Sequence, residues 1–211
     1  GWDYFLYWIA AYLRNKKYNE LIIESSYIES KTSGIKGFIK RLFLKRITKA
    51  YASGMSQIKL LQNLSFKGEI IKTKGVGIFN IIPQPSFSIR DYVRDFIYVG
   101  RLSPEKNLKF LVQTFNTLPN LRLNIIGFGP EEFELKSIAK SNVNFYGAIA
   151  NTELHKFYQQ NDVFILPSLS ETWGMVVEEA LNNGLPVIVS DKVGCAEEIV
   201  NEKNGLVFKL S

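Results

Sequence analysis

The chain has 211 residues, 46% apolar, 13% aromatic and 22% charged, enough to fill one large or two compact globular cores; this excludes disordered, collagen-like and disulfide-scaffold classes. One cysteine, Cys195, and one histidine, His155, exclude an intrachain disulfide, a Cys/His zinc cluster and a histidine-pair metal site. The net charge of +6 is divided, with 16 Lys and Arg against 7 Asp and Glu in residues 1–96, and 10 against 13 in residues 97–211.

Apolar spacing predicts a helix over residues 2–14, a strand over 21–24, and helices over 35–49 and 57–64. The apolar stretch 4–13 is about ten residues long against the roughly 20 that span a bilayer, and no cleavable leader precedes it, so the chain is expected to be cytoplasmic. The aromatics Trp2, Tyr4, Phe5, Tyr7 and Trp8 read as core or interface. From Lys31 to Lys67 there are nine basic residues and no acidic one. Within that run Ile35, Phe38, Ile39, Leu42 and Phe43 repeat at helical spacing, with Lys36 and Lys40 off the stripe and Arg46 interrupting it. This pattern suits either a core helix with a solvated basic face or, over residues 31–49, a helix lying on an anionic membrane surface. Two prolines and two serines in residues 81–88 mark a linker, placing a boundary near residue 85 between a segment 1–85 and a domain 86–211.

The second half alternates apolar runs at 96–99, 121–126, 143–146, 163–166, 186–190 and 206–208 with stretches of helical spacing. Six such strands joined by helical crossovers predict a doubly wound α/β fold with a parallel, six-stranded, Rossmann-like sheet, preceded by a partial, smaller α/β segment. Ser103-Pro104-Glu105 and Asn151-Thr152-Glu153 read as capped helix starts, and Gly184 and Pro186 stop the helix that begins near Gly174.

Three segments fall where strands of such a sheet leave their carboxyl ends, the place at which open α/β sheets bind ligands. In residues 171–179 (ETWGMVVEE) the helix starting at Gly174 directs free amides and the positive end of its dipole at an anion. Glu171 and Glu179 lie eight residues apart, about 12 Å along one helix at ~1.5 Å per residue, too far for a glycosidase pair and suited to gripping two ends of a long ligand; a solvated acidic helix start fits the same residues. In residues 99–107 (VGRLSPEKN) Gly100 permits close backbone approach, and Arg101 and Lys106 are either two cations that neutralise a diphosphate without a metal or ordinary surface charges. In residues 125–131 (IIGFGPE) Gly127 and Gly129 let a ligand approach the main chain or make a tight turn. The third glycine of the dinucleotide fingerprint, a phosphate-binding P-loop and an Asp-x-Asp metal motif are absent, and no nucleic-acid module is visible.

These segments, with NVNFYG at 142–147, DVFILPS at 162–168 and GLPVIVS at 184–190, together resemble the C-terminal, nucleotide-sugar-binding domain of family 4 retaining glycosyltransferases of the GT-B fold, over residues 95–209. The family's E-x7-E signature falls on Glu171 and Glu179. The resemblance implies a metal-independent, cofactor-free hexosyltransferase that takes a nucleoside-diphosphate sugar and retains configuration at the anomeric carbon. Arg101 and Lys106 would stabilise the leaving diphosphate and Glu171 would bind the donor sugar as the catalytic set. Gly100, Gly127 and Gly129 would line the donor cleft, the main chain near Ala148 would face the base, Gly174, Met175 and Val176 would meet the phosphates, and Glu179 would hold the ribose. The acceptor would be a carbohydrate or a lipid-linked sugar, at the inner face of the membrane. The early acceptor-side strands and histidine of the family have no counterpart, so the chain reads as a fragment or a short version, either active or an inert nucleotide-sugar-binding module. Its uncovered apolar surface would favour a homodimer.

Overall fold

The computed structural model describes residues 2–73, 77–78 and 92–210. The chain falls into two compact units, Gly1–Val76 and Gly77–Ser211. The linker expected over 81–88, and the boundary near residue 85, lie outside the described residues.

The first unit contains α1 (Phe5–Leu13), β1 (Glu20–Ile23), α2 (Gly34–Leu44), β2 (Lys49–Ala52), α3 (Met55–Asn63) and β3 (Glu69–Lys72), with the strands parallel in the order β1-β2-β3. Its core gathers Ile23, Phe43, Leu44, Ile47, Leu60 and Leu61 around the two buried alanines of β2. The basic helix expected to reach Lys49 ends at Leu44: Arg46 and Ile47 turn back onto the carbonyls of Phe43 and Leu44, and Lys49 opens β2, whose alternating burial buries Ala50 and Ala52. The expected apolar stripe is also displaced. Gly37, Lys40, Phe43 and Leu44 face inward, whereas Ile35, Phe38 and Ile39 are exposed. Residues 31–33 pack on the helix and force this rotation. A side chain at position 37 would strike the Thr32 carbonyl, and the Lys40 ammonium donates to the Lys31 carbonyl at 3.1 Å while lying over the Trp2 ring, which desolvates it and lowers its pKa. Arg46, off the expected pattern, donates to the carbonyls of Ala11 and Arg14 at the end of α1 and covers the Tyr12 ring. Of the early aromatics, Trp2 is buried and Trp8 stacks edge-on against Phe43, but Tyr4, Phe5 and Tyr7 are exposed.

The second unit contains all six expected strands, β4 (Asp95–Val99), β5 (Arg122–Ile126), β6 (Val143–Gly147), β7 (Val163–Leu166), β8 (Val187–Ser190) and β9 (Gly205–Phe208), paired in parallel in the order β6-β5-β4-β7-β8-β9. Between them run α4 (Leu108–Asn116), α5 (Glu132–Ile138), α6 (Asn151–Gln159), α7 (Met175–Asn182) and α8 (Ala196–Ile199). The chain winds outward from β4 to β6, returns through α6 to β7, and then winds the opposite way, so right-handed crossovers put α4 and α5 on one face and α7 and α8 on the other. That is a doubly wound sheet, and its strands are apolar because both faces are covered. Ile97, Tyr98, Leu123, Ile125, Phe164, Val187 and Val189 are fully buried in it.

Two helix starts differ from expectation. Pro104–Lys106 forms a single 3-10 turn, and the backbone breaks at Asn107 (φ 57°) before α4 begins at Leu108. Helix α6 includes Asn151 itself and takes Ala150 as its cap. Because Leu123 is fully buried in β5 and cannot be replaced by collapse of a close-packed sheet, Leu123→Ala is expected to lower unfolding free energy by about 2–5 kcal/mol in denaturant titration.

Candidate functional site

Strand order reverses between β4 and β7, and there the connections at the carboxyl ends diverge to opposite faces, the place at which open α/β sheets bind ligands in a crevice. The loop after β4 carries Gly100, Arg101 and Lys106, and the loop after β7 carries Glu171. Three contacts join them. The Lys106 ammonium is ion-paired with Glu171 Oε2, the Leu169 amide donates to the Glu105 carbonyl at 2.8 Å, and Asn107 Nδ2 donates to the Pro167 carbonyl at 3.2 Å. The left-handed conformation of Asn107 ends the 3-10 turn and directs this amide across the gap. Lys106 and Glu171 are mostly buried, with side chains 18% and 16% exposed.

Glu171 is fixed by its backbone as well. It forms an isolated parallel bridge with Val193, its amide donating to the Lys192 carbonyl at 3.1 Å and its carbonyl accepting from the Gly194 amide at 2.9 Å. Glu171 therefore precedes α7, which begins at Met175, so a spacing counted along one helix does not describe the two glutamates: only Glu179 is on the helix. Gly174 caps α7 in a left-handed conformation (φ 94°) against Val193 and supplies no side-chain cap, so the first amides of the helix have no intrahelical acceptor.

The third loop packs on the first. A Cβ on Gly127 (φ 132°) would meet the Gly100 carbonyl at 1.8 Å, and one on Gly129 would meet the Leu102 carbonyl at 2.3 Å. Only glycine lets these two main chains touch. Leu102 donates to the Phe128 carbonyl, and Glu131 donates back to that of Leu102. Arg101 is exposed, and its carbonyl accepts from the buried Tyr98 hydroxyl at 2.8 Å. Ser103 donates to Glu105 at 2.6 Å, and this bond holds the Glu105 carboxyl below its usual range. Ala148 follows β6 and is exposed.

The structure thus brings Gly100, Lys106, Gly127, Gly129 and Glu171 together in one set of touching loops. Glu179 is anchored elsewhere, accepting from the Tyr158 hydroxyl of α6 at 3.1 Å, and burial raises its pKa despite that bond. Next to it, Glu178 accepts from the Trp173 indole at 2.9 Å. Asn107, Tyr158 and Trp173 were not legible as site residues; Asn107 had the one usable signal, an αL-tolerant residue directly after a charged turn. Cys195 is buried and its thiol is pushed up to about 12, chiefly by desolvation, which makes it inert at neutral pH. Among the described residues no cluster of three or more His, Cys, Asp or Glu could hold a metal ion, and no helix is long and apolar enough to cross a membrane.

Residues 84–211 match the family model described as glycosyl transferases group 1. The chain is 37% identical over 110 residues to sulfoquinovosyl transferase SQD2 of Arabidopsis thaliana, covering 52% of this chain and 22% of that one. It is 35% identical over 121 residues to the alpha-monoglucosyldiacylglycerol synthase of Acholeplasma laidlawii, covering 53% and 30%. Among solved structures it superposes on a sucrose-phosphate synthase from Thermosynechococcus elongatus with a TM-score of 0.74 at 20% identity, covering 96% of this chain and 58% of the other. It superposes on the lipopolysaccharide outer core galactosyltransferase WaaB with a TM-score of 0.69 at 22% identity, covering 88% and 53%. The chain spans less than a third of these two curated relatives and a little over half of each of the two structures, whose shared architecture is the GT-B fold. The family match over more than half its length, on a doubly wound parallel sheet, makes this chain a member of the glycosyl transferases group 1 family.

Proposed function

We propose that the second unit binds a nucleoside-diphosphate sugar at the reversal between β4 and β7, and that the protein transfers the hexose, with retention and without a metal, to a carbohydrate or lipid-linked acceptor. The observation that carries this reading is the mostly buried Lys106–Glu171 pair at the crevice. A buried ion pair adds little to stability compared with apolar packing, so its value lies in what each partner does when a ligand separates them. Lys106 would pass to the diphosphate and Glu171 to a hydroxyl of the sugar. As the bond from the anomeric carbon to the phosphate oxygen breaks, the departing diphosphate takes the electron pair, the acceptor hydroxyl oxygen bonds to the anomeric carbon on the same face, and its proton passes to the departing phosphate oxygen. Lys106, Arg101 and the free amides of Gly174, Met175 and Val176 would stabilise that charge, and this is transition-state stabilisation by fixed dipoles and cations. Glu179 would accept from the ribose, and the backbone at Gly127, Gly129 and Ala148 would flank the nucleotide. The E-x7-E spacing of Glu171 and Glu179 supports the family 4, retaining assignment.

The acceptor side is read from the first unit. Ile35, Phe38 and Ile39 project from α2 beside exposed Lys36 and Lys45, the composition of a helix that inserts apolar groups between anionic headgroups. The similarity to an alpha-monoglucosyldiacylglycerol synthase supports a lipid-borne acceptor, and the reading puts it at the inner, cytoplasmic face of a membrane.

Calorimetric titration with UDP, GDP, ADP and their glucose-type sugars, without added metal, is expected to find one nucleotide that binds, and Lys106→Ala or Arg101→Ala should weaken it tenfold or more (about 1.4 kcal/mol). Unchanged affinity would remove the two cations from the site, and binding without turnover on any acceptor would leave a nucleotide-sugar-binding module. Sedimentation with phosphatidylglycerol liposomes at low salt should pull down the chain, and replacing Phe38 and Ile39 by serine should release it; a chain that stays in the supernatant argues against the membrane surface.

A further inference from the structure

We infer that Tyr158 is a positioning residue for the nucleotide: its hydroxyl takes one oxygen of the Glu179 carboxylate and so leaves the other aimed at a ribose hydroxyl. The inference rests on the donor reading above. Tyr158 is 1% exposed, packed against Phe164 of β7, and its only polar atom reaches Glu179 Oε2 at 3.1 Å. Glu179 lies on α7 one turn beyond Met175, on the same face of the helix as that side chain. A half-buried carboxylate with four lone-pair sites and one fixed donor is restrained in rotation and still has an acceptor to offer. Burial keeps the phenol protonated, its pKa well above the usual value, so its O–H remains available to donate to the carboxylate.

The titratable groups acting on Glu179 are Tyr158 from α6 and Glu178 from its own helix. Desolvation raises the Glu179 pKa, the Tyr158 bond lowers it, and the Glu178 charge raises it. The ionised carboxylate is the form that accepts from ribose, so ribonucleotide affinity is retained above the Glu179 pKa and lost as pH falls through it. Removing the hydroxyl raises that pKa further and moves the loss to higher pH.

The test compares the 211-residue chain with Tyr158→Phe in calorimetric titrations with UDP, GDP and ADP and the 2′-deoxy counterpart of whichever binds. The wild type is expected to prefer the ribonucleotide. Tyr158→Phe should cut that preference at least threefold, leave 2′-deoxynucleotide affinity within about twofold, and shift the acid limb of ribonucleotide binding upward. Equal losses for both nucleotides, or an unmoved acid limb, would mean that Tyr158 only supports packing and would overturn the inference. Should Tyr158→Phe not melt cooperatively, Tyr158→Phe/Glu179→Ala is compared with Glu179→Ala. No further loss is expected where there is no carboxylate to position, and a further loss would overturn the inference. A wild type that binds but shows no ribose preference defeats the positioning role alone, whereas one that binds none of the three nucleotides defeats the donor reading.

Discussion

Reversal of strand order between β4 and β7 is the constraint on which the rest of the second unit depends. Two neighbouring parallel strands whose following connections must go to opposite faces cannot bury both carboxyl-end loops, and the gap left between them is a crevice by topology alone. The chain bridges that gap with polar contacts. Asn107 to Pro167, Leu169 to Glu105 and Lys106 to Glu171 tie loop to loop without filling the space, as apolar side chains would. Apolar packing would give a more stable sheet and no site.

Backbone proximity supplies the rest of the rigidity. Gly127 and Gly129 put the loop after β5 in direct contact with the loop after β4, and Gly194 lets the segment after β8 pair with Glu171 along its main chain. Four loops from β4, β5, β7 and β8 thereby form one connected layer above the sheet. Glu171 is held by two backbone hydrogen bonds and one ion pair, so its carboxylate position follows from the strand registers below it. Contacts of this kind hold a charged group in place, and an electrostatic interaction weakens quickly when such a group is displaced.

Much of this was legible in the amino-acid order because buried parallel strands are short continuous apolar runs, here set between stretches of helical spacing and turn residues. All six strands of the second unit and the three glycine- or charge-bearing loops at their ends could be read from 96–99 through 206–208. The first unit was less readable for a physical reason. Lys-Ala-Tyr-Ala at 49–52 is a central strand whose inward residues are alanines, too small to register as an apolar run, and β3 at Glu69–Lys72 has only two apolar residues. On α2 two of the inward positions are Gly37 and Lys40, which periodicity assigns outward; they face in because the Thr32 carbonyl demands a glycine and the Lys31 carbonyl accepts an ammonium. At the site, spacing identified Glu171 and Glu179 but not their geometry, because Glu171 is extended chain and the helix starts four residues later. Partners such as Tyr158 and Trp173 were hidden because an aromatic ring in an apolar pattern counts as core whether or not its polar tip is used.

That dual character explains how the start of α7 tolerates adjacent carboxylates. Glu178 and Glu179 are neighbours in sequence but project about 100° apart around a helix, so each meets a different buried aromatic. The Trp173 indole takes one and the Tyr158 phenol takes the other, both neutral donors whose rings are fixed by the core. A lysine in either place would neutralise the carboxylate and compete with Lys106 for the same anion. A neutral donor orients the charge without cancelling it, so the cationic character near the crevice stays with Arg101, Lys106 and the amide end of α7. Negative charge stays one turn along the helix, where an uncharged hydroxyl is the complementary group. On the proposed reading, cations and amides before the helix with the Glu179 carboxylate one turn along it would suit a ligand with an anionic centre and a polyhydroxylated flank, once that ligand separates Lys106 from Glu171. The aromatic residues that look like core are what keep that order in place.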